Sequence, residues 1–325
     1  MAQLIKLQDY VSRYAQDIYL YPSRFVRLKK KQWEGVKEKW ENGPVQLEEI
    51  NGYGHSEEQS NTILQKIKSI VRNSETPQSG PKQDSPIGLD DDQETMIDDD
   101  EIEMLNNIQT IEGLKQHFLD QLLPFQLKWA SSTLTEKSFI AKEFTNDPTL
   151  KFLLQRFPDT FLILYKPIFL LKKAPVEAEL ILVTPGAAIC ISFLEAEENA
   201  VFVGSKERFW IKKTKNKETK ILNPLIALNR TDKIVKTLFE MYGVELPVQK
   251  LLLSRNGFID YPLAPYGVQF IEKRNFDEWF SALRGMKSPL KHMQLKAAQV
   301  LLQYCQTTSI RRLEWESSQR QGDQN

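Results

Sequence analysis

The segment from Glu179 to Phe193, ELILVTPGAAICISF, constrains the fold more than any other part of this chain. Residues 179–183 and 187–193 are two apolar runs rich in β-branched side chains. Between them, Thr184-Pro185-Gly186 carries turn chemistry, because proline presets φ and glycine tolerates φ > 0. The spacing predicts a β-hairpin central to a sheet.

Further along, Trp210 lies in a strand-like run, Asn223-Pro224-Leu225 opens a helix predicted over 226–242, and residues 248–254 read as another strand. Upstream, a helix containing Glu143 leads into a strand at 161–164. With the hairpin, this order resembles the NERD (nuclease-related) domain of the restriction-endonuclease-like PD-(D/E)xK group, over roughly residues 135–275. The resemblance implies that Glu179 stands at the family's first acidic position, usually Asp. Ser192 then falls on the catalytic Glu, Leu194 on the catalytic Lys, and Ala227 on the Gln of an Asn-Pro-Leu-x-Gln element. The implied fold is α+β: a restriction-endonuclease-like mixed sheet flanked by helices, with an N-terminal helical region.

Hydrolysing a phosphodiester in this way needs clustered carboxylates to hold Mg²⁺ through oxygens and a cation to meet developing negative charge. Ser192 offers one neutral oxygen and Leu194 none, so no catalytic set is intact, no metal site is expected, and Mg²⁺ would matter only to a residual nuclease. Glu177, two residues before Glu179, points to the same strand face, and Glu195 or Glu197 lies just past the second strand. These glutamates read as solvated strand-end charges rather than replacement ligands.

The chain has 325 residues, and its 43 basic and 43 acidic residues cancel, so no global field advertises nucleic acid; the charges are nevertheless unevenly placed. Cys190, in a predicted buried strand, and Cys305, on a predicted helix, are too few for a disulfide framework. No apolar run approaches the ~20 residues that span a bilayer, and the first residues lack the apolar stretch of a signal peptide. A cytoplasmic location without membrane contact is the expectation.

Residues 1–71 are expected to form an N-terminal helical region. Within it, residues 3–42 are read as two helices separated at Tyr21-Pro22, with Ser23 capping the second. That second helix carries Arg24, Arg27, Lys29, Lys30, Lys31, Lys37 and Lys39, with Phe25, Leu28, Trp33, Val36 and Trp40 along an apolar face. Basic residues interleaved with aromatics suit nucleic acid. The same pattern equally describes an amphipathic helix packed on a neighbour with its lysines solvated.

Residues 72–100 read as an acidic disordered linker, since turn and breaker residues give way to nine acidic residues between Asp90 and Glu103, too few apolar groups for a core. The cluster lacks the glycine and alternation of a calcium loop. Electrostatic shielding of the basic helix by this segment is a further expectation, and it would fade beyond a Debye length of about 8 Å.

Connecting helices are expected over 101–134, with Ile102, Leu105, Ile108, Ile111, Leu114, Phe118 and Leu122 at helical spacing before Pro124. A further helix is predicted over 125–144 and a short one over 150–157. Over 276–325, Asn275 is expected to cap a helix, Ser288-Pro289 to open the last one, and the tail after Trp315 to fray.

The second basic cluster, Lys206 to Lys220, predicts a strand centred on Phe209 to Ile211 and a hairpin tip near Asn216. Arg208, Lys212, Lys213, Lys215, Lys217 and Lys220 suit phosphate contacts without sequence preference, or simply a solvated loop. His55, His117 and His292 form no metal-ligand spacing, and no phosphate loop, serine elbow or Cys-His pattern is present. The residues therefore point to a non-catalytic nuclease-related module with weak affinity for DNA or RNA. A scaffold binding a protein partner through its helices and a divergent metal-dependent nuclease stand as alternatives.

Overall fold

A computed structural model describes residues 1–42, 107–171, 174–262 and 265–312. The expected acidic linker, the last part of the N-terminal region and the tail after Trp315 lie outside the described residues.

The chain begins with a strand, β1 (Gln3–Leu7), every residue of which is buried. It pairs in parallel with β3 (Leu162–Tyr165), with an irregularity between Leu4 and Lys6. The expected first helix is therefore absent: Leu4, Ile5 and Leu7 are too few to set a period, and pairing with a distant strand decides their conformation. A 3₁₀ turn at Arg13–Ala15, capped by the Ser12 hydroxyl, leads to helix α1 (Tyr21–Asn42). Ser23 lies inside α1 rather than at its cap, because the helix already includes Tyr21 and Pro22, and proline in a first turn sacrifices no hydrogen bond.

Helix α2 (Ile111–Trp129) also departs from expectation, since it runs through Pro124 and stops at Trp129 instead of restarting at Phe125 and reaching Phe144. Its buried C-terminal half holds it together. Trp129 is ringed by Phe125 at 5.0 Å, Tyr21 at 5.6 Å, Tyr14 at 5.9 Å and Phe25 at 6.1 Å. Such burial exceeds the cost of one lost backbone bond. The short strand β2 (Glu136–Lys137), a single helical turn α3 (Lys142–Thr145) and α4 (Pro148–Arg156) follow.

The predicted central hairpin is present as β6 (Leu180–Val183) and β7 (Ala188–Phe193), antiparallel, with Leu180 opposite Ile191 and Val183 opposite Ala188. The Thr184 hydroxyl fixes the turn by accepting from Gly186 N and Ala187 N. Gly186 is not among the positive-φ residues, so the turn does not use the freedom that the sequence offers. The main sheet has the order β1-β3-β6-β7-β11-β13, with β11 (Val248–Leu253) parallel to β7 and β13 (Val268–Ile271) parallel to β11. Helix α5 (Pro224–Tyr242) lies on β7 and β11, and α7 (His292–Gln303) lies beside it on the same face. Helices α2, α4 and α6 (Phe276–Arg284) contribute to the apolar cluster on the other face. The fold is α+β, a mixed sheet between helices with an N-terminal helical segment.

A second sheet, β10-β9-β8-β12, is built from β8 (Val201–Val203), β9 (Phe209–Lys213), β10 (Glu218–Leu222) and β12 (Phe258–Asp260). Small hairpin β4–β5 (Ile168–Leu171, Ala174–Glu177) and the pair β2–β14 (Ile310–Arg311) complete the strands. Asn275 sits at the N-terminus of α6 but spends its side-chain oxygen on Glu272 N at 2.7 Å instead of capping. Helix α7 opens at His292, after the expected Ser288-Pro289 start. Cys305 follows α7 rather than lying on it, and Cys190 and Cys305 are both free. No described helix is long and apolar enough to cross a membrane.

Buried polar groups lock β1 in place. Gln126 on α2 accepts from Leu4 N at 2.7 Å and donates to Ala2 O at 2.6 Å, closing the open edge of the strand. The Lys6 ammonium donates to Tyr10 O at 2.6 Å, Gln306 O at 2.8 Å and Thr307 Oγ1 at 3.3 Å. Replacing it by Met leaves two carbonyls without their donor and is expected to cost about 2–3 kcal/mol, read from urea midpoints. Gly186→Ala meets open space at an ordinary backbone angle and is expected to leave stability unchanged or raise it by up to about 1 kcal/mol in the same measurement.

Candidate functional site

Of the four positions singled out by the resemblance, Glu179 and Ser192 face each other across the hairpin, and the Ala227 carbonyl reaches Glu179 through one side chain of α5. Glu179 immediately precedes β6 and, in the antiparallel register, lies opposite Ser192. The Ser192 hydroxyl acts on the Glu179 carboxyl electrostatically, favouring its charged form. Glu179 N donates to Thr231 Oγ1 at 2.9 Å, and that hydroxyl donates to Ala227 O at 3.0 Å, so helix α5 is tied to the start of β6 through Thr231. Leu194 is buried in the apolar cluster beneath α5. Ser192 and Leu194 thus contribute one hydroxyl and one core side chain.

Burial raises the Glu179 carboxyl above its ordinary range, and Glu177 acts in the same direction; the Ser192 hydroxyl, Arg230 and Lys166 oppose it. Glu179 also lines a cleft of about 330 Å³ with Asp147, Tyr165, Lys166, Phe193 and Glu195. Three carboxylates line this cleft, and two of them already have partners. Asp147 accepts from Thr149 N at 2.8 Å and Leu150 N at 3.1 Å as the cap of α4, and from the Tyr165 hydroxyl at 2.6 Å. Glu195 is ion-paired with Arg255 through both oxygens. Among the described residues, no group of three or more His, Cys, Asp or Glu is placed to hold a metal ion. Glu143, Glu177 and Glu197 are exposed and do not line the cleft, whereas Glu195 does.

The two basic candidates differ. On α1, Trp33 packs on Phe118 of α2 at 5.4 Å and the Trp40 indole donates to Ile108 O at 2.7 Å, so the aromatic stripe is spent on α2 and the segment leading into it. Lys29 pairs with Asp159, Lys30 with Glu34 at 3.9 Å and Lys37 with Glu41 at 3.3 Å. Arg27 is exposed and Arg24 half-buried on the same helix. On the β9–β10 hairpin, by contrast, Lys206, Arg208, Lys213, Lys215, Lys217 and Lys220 are all exposed and Lys212 is half-buried; Lys213 pairs with Glu218 at 3.1 Å.

Trp210 is wholly buried and donates to Ser205 O at 3.0 Å, which turns its strand neighbours Phe209 and Ile211 outward. Asn223 links this sheet to the main one. It accepts from Leu225 N at 3.0 Å as the cap of α5, donates through its side chain to Glu207 O at 2.8 Å, and donates through its backbone to Arg208 O at 2.9 Å. The outward pair Phe209 and Ile211 was readable from the alternation around Trp210. Lys166, Thr231 and Arg255 carry no local signal, because they arrive from distant segments, whereas Asp147 before Pro148 is a helix-start signal that says nothing of the cleft.

No family model matches the chain. Over 41 residues it is 56% identical to a protein described as RNA 2',3'-cyclic phosphodiesterase from Geobacillus stearothermophilus, a match covering 13% of this chain and 13% of that protein. The chain therefore matches well under two thirds of that relative's length. No solved structure matches.

Because the folded chain holds the Glu179 proton to higher pH than the unfolded chain, this residue lowers stability as pH rises through the carboxylate range. Glu179→Gln keeps the shape and removes the charge. Its melting temperature is expected to exceed the parent's near neutral pH, with the gap closing below the ordinary glutamate pKa; a pH-independent gap would overturn the assignment.

Proposed function

We propose that this chain is a non-catalytic nuclease-related module that binds nucleic acid without sequence preference through the β9–β10 hairpin. The observation that carries the reading is the hairpin's charge: seven cations stand between Lys206 and Lys220 against Glu207 and Glu218, and six of the seven are exposed. A polyanion meeting that surface releases its counterions, which gives affinity that does not depend on base sequence. Support for the nuclease-related origin comes from the order α4, β3, β6, β7, α5, β11 and from the meeting of Glu179, Ser192 and the start of α5. Support for the loss of chemistry comes from Ser192 and Leu194, which supply neither the second carboxylate nor the cation that phosphodiester hydrolysis requires. Helix α1, with its aromatic face covered and several lysines paired, acts as a structural element in this reading.

A second reading rests on a different feature. An apolar groove of about 730 Å³ runs between α5 and the β4–β5 hairpin, lined by Leu170, Val176, Ile234, Leu238, Met241 and Tyr304. It favours a scaffold role in which a protein partner contributes apolar side chains, with little dependence on salt.

The test is binding and cleavage of labelled single- and double-stranded DNA and RNA across a salt series, with Mg²⁺ or Mn²⁺ and with chelator. The expected result is affinity that falls steeply with salt and no cleavage. The double variant Lys215→Glu with Lys217→Glu is expected to reduce the magnitude of the log–log salt slope by about 1–2. Metal-dependent cleavage abolished by Glu179→Ala would overturn the non-catalytic reading, and absence of binding at low salt would favour the scaffold.

A further inference from the structure

The outward face of the second sheet has a chemistry that phosphate binding alone does not use. Cross-strand partners share a face, so Phe209 stands beside Leu222, Ile211 beside both Lys220 and Val203, and Lys213 beside Val201 and Glu218. Phe209 is 50% exposed, Ile211 38% and Leu222 54%, on the face opposite the buried Trp210 and Phe202. The Arg208 guanidinium lies over the Phe209 ring at 5.7 Å. The face is thus graded: an aromatic and aliphatic end at Phe209 and Leu222, a mixed middle row, and a cationic end at Lys213 that continues into Lys215 and Lys217. From Phe209 to Lys213 the strand spans about 13 Å.

We propose that this face is a stacking platform for unpaired bases, so that the class of ligand recognised is single-stranded nucleic acid; the proposal rests on the nucleic-acid reading above. A duplex presents its phosphates but hides its base faces in its own stack, and would use only the lysines. A single strand satisfies both ends of the gradient, with a base against Phe209 beside the Arg208 guanidinium and the phosphates running toward the hairpin tip. Charge complementarity selects this occupant over an apolar protein surface, because the same hairpin holds seven cations to two carboxylates. Every base has a π-face, so the platform adds strand selectivity without sequence selectivity.

The experiment compares a labelled oligothymidylate with a duplex of equal length, by fluorescence anisotropy at low salt, for the full chain and three variants. Phe209→Ala is expected to weaken oligothymidylate binding about tenfold and leave duplex binding unchanged, whereas Phe209→Tyr keeps the ring and the affinity. Phe139→Ala removes an exposed aromatic that also has a lysine, Lys137, over its ring, and is expected to change neither. Equal binding of both ligands with no effect of Phe209→Ala would overturn the platform while leaving electrostatic binding intact. Failure of both ligands to bind would overturn the nucleic-acid reading and the platform with it.

Discussion

A buried ammonium joins the two ends of the described chain. Lys6 is 2% exposed, in the first strand of the sheet, and its donors are taken by carbonyls of Tyr10 and Gln306 and by the Thr307 hydroxyl. Burial lowers its pKa from the ordinary lysine value, opposed by the Cys305 thiol and Asp9, so the charge is tolerated only where its donors are satisfied. That requirement fixes β1 in register beside β3 and holds the segment after α7 against the turn after β1. Glutamines extend the same logic. Gln3 donates to Asp159 O at 2.7 Å, Gln126 closes the edge of β1, and Gln294 on α7 donates to Thr160 O at 2.6 Å and Val183 O at 2.9 Å. Each long polar side chain stitches a helix or loop to the end of a strand where backbone groups would otherwise lack partners.

Elements whose signal is local were legible in the sequence. The β6–β7 hairpin announces itself by two apolar runs around a Thr-Pro-Gly turn, and α5 by Asn223 and Pro224 at its start and Gly243, in the left-handed region, at its end. Elements decided by distant partners were not. β1 is five residues buried on both faces, which erases the alternation that marks a strand, so only its pairing with β3 distinguishes it from a helix fragment. Pro124 misled for the opposite reason: a strong local breaker is overridden by the aromatic cluster around Trp129.

The candidate site divides along the same line. Glu179 and Ser192 belong to one hairpin and lie opposite each other in its register, and the Thr231 hydroxyl ties Glu179 N to the Ala227 carbonyl. The cleft beside them could not be foreseen, since Asp147 comes from the cap of α4, Lys166 from the left-handed turn after β3, and Arg255 from beyond β11. A helix cap and a tyrosine hydroxyl claim Asp147, and a guanidinium claims Glu195, so these two carboxylates are already committed within the cleft.

Asn223 shows how the Glu179 site and the basic sheet depend on each other. One side chain caps α5, whose first turns carry Ala227 and Thr231 toward Glu179, and also holds Glu207 O, while its backbone holds Arg208 O at the entry to β9. Trp210, inserted behind β9, then dictates that Phe209 and Ile211 face outward. The orientation of the exposed aromatic, the guanidinium above it and the lysines beyond it therefore follows from packing on the inner side of the same strand. The strand and its aromatic, set from behind in this way, arrive preorganised, and the ordering entropy left to a ligand laid along them falls on the exposed lysines.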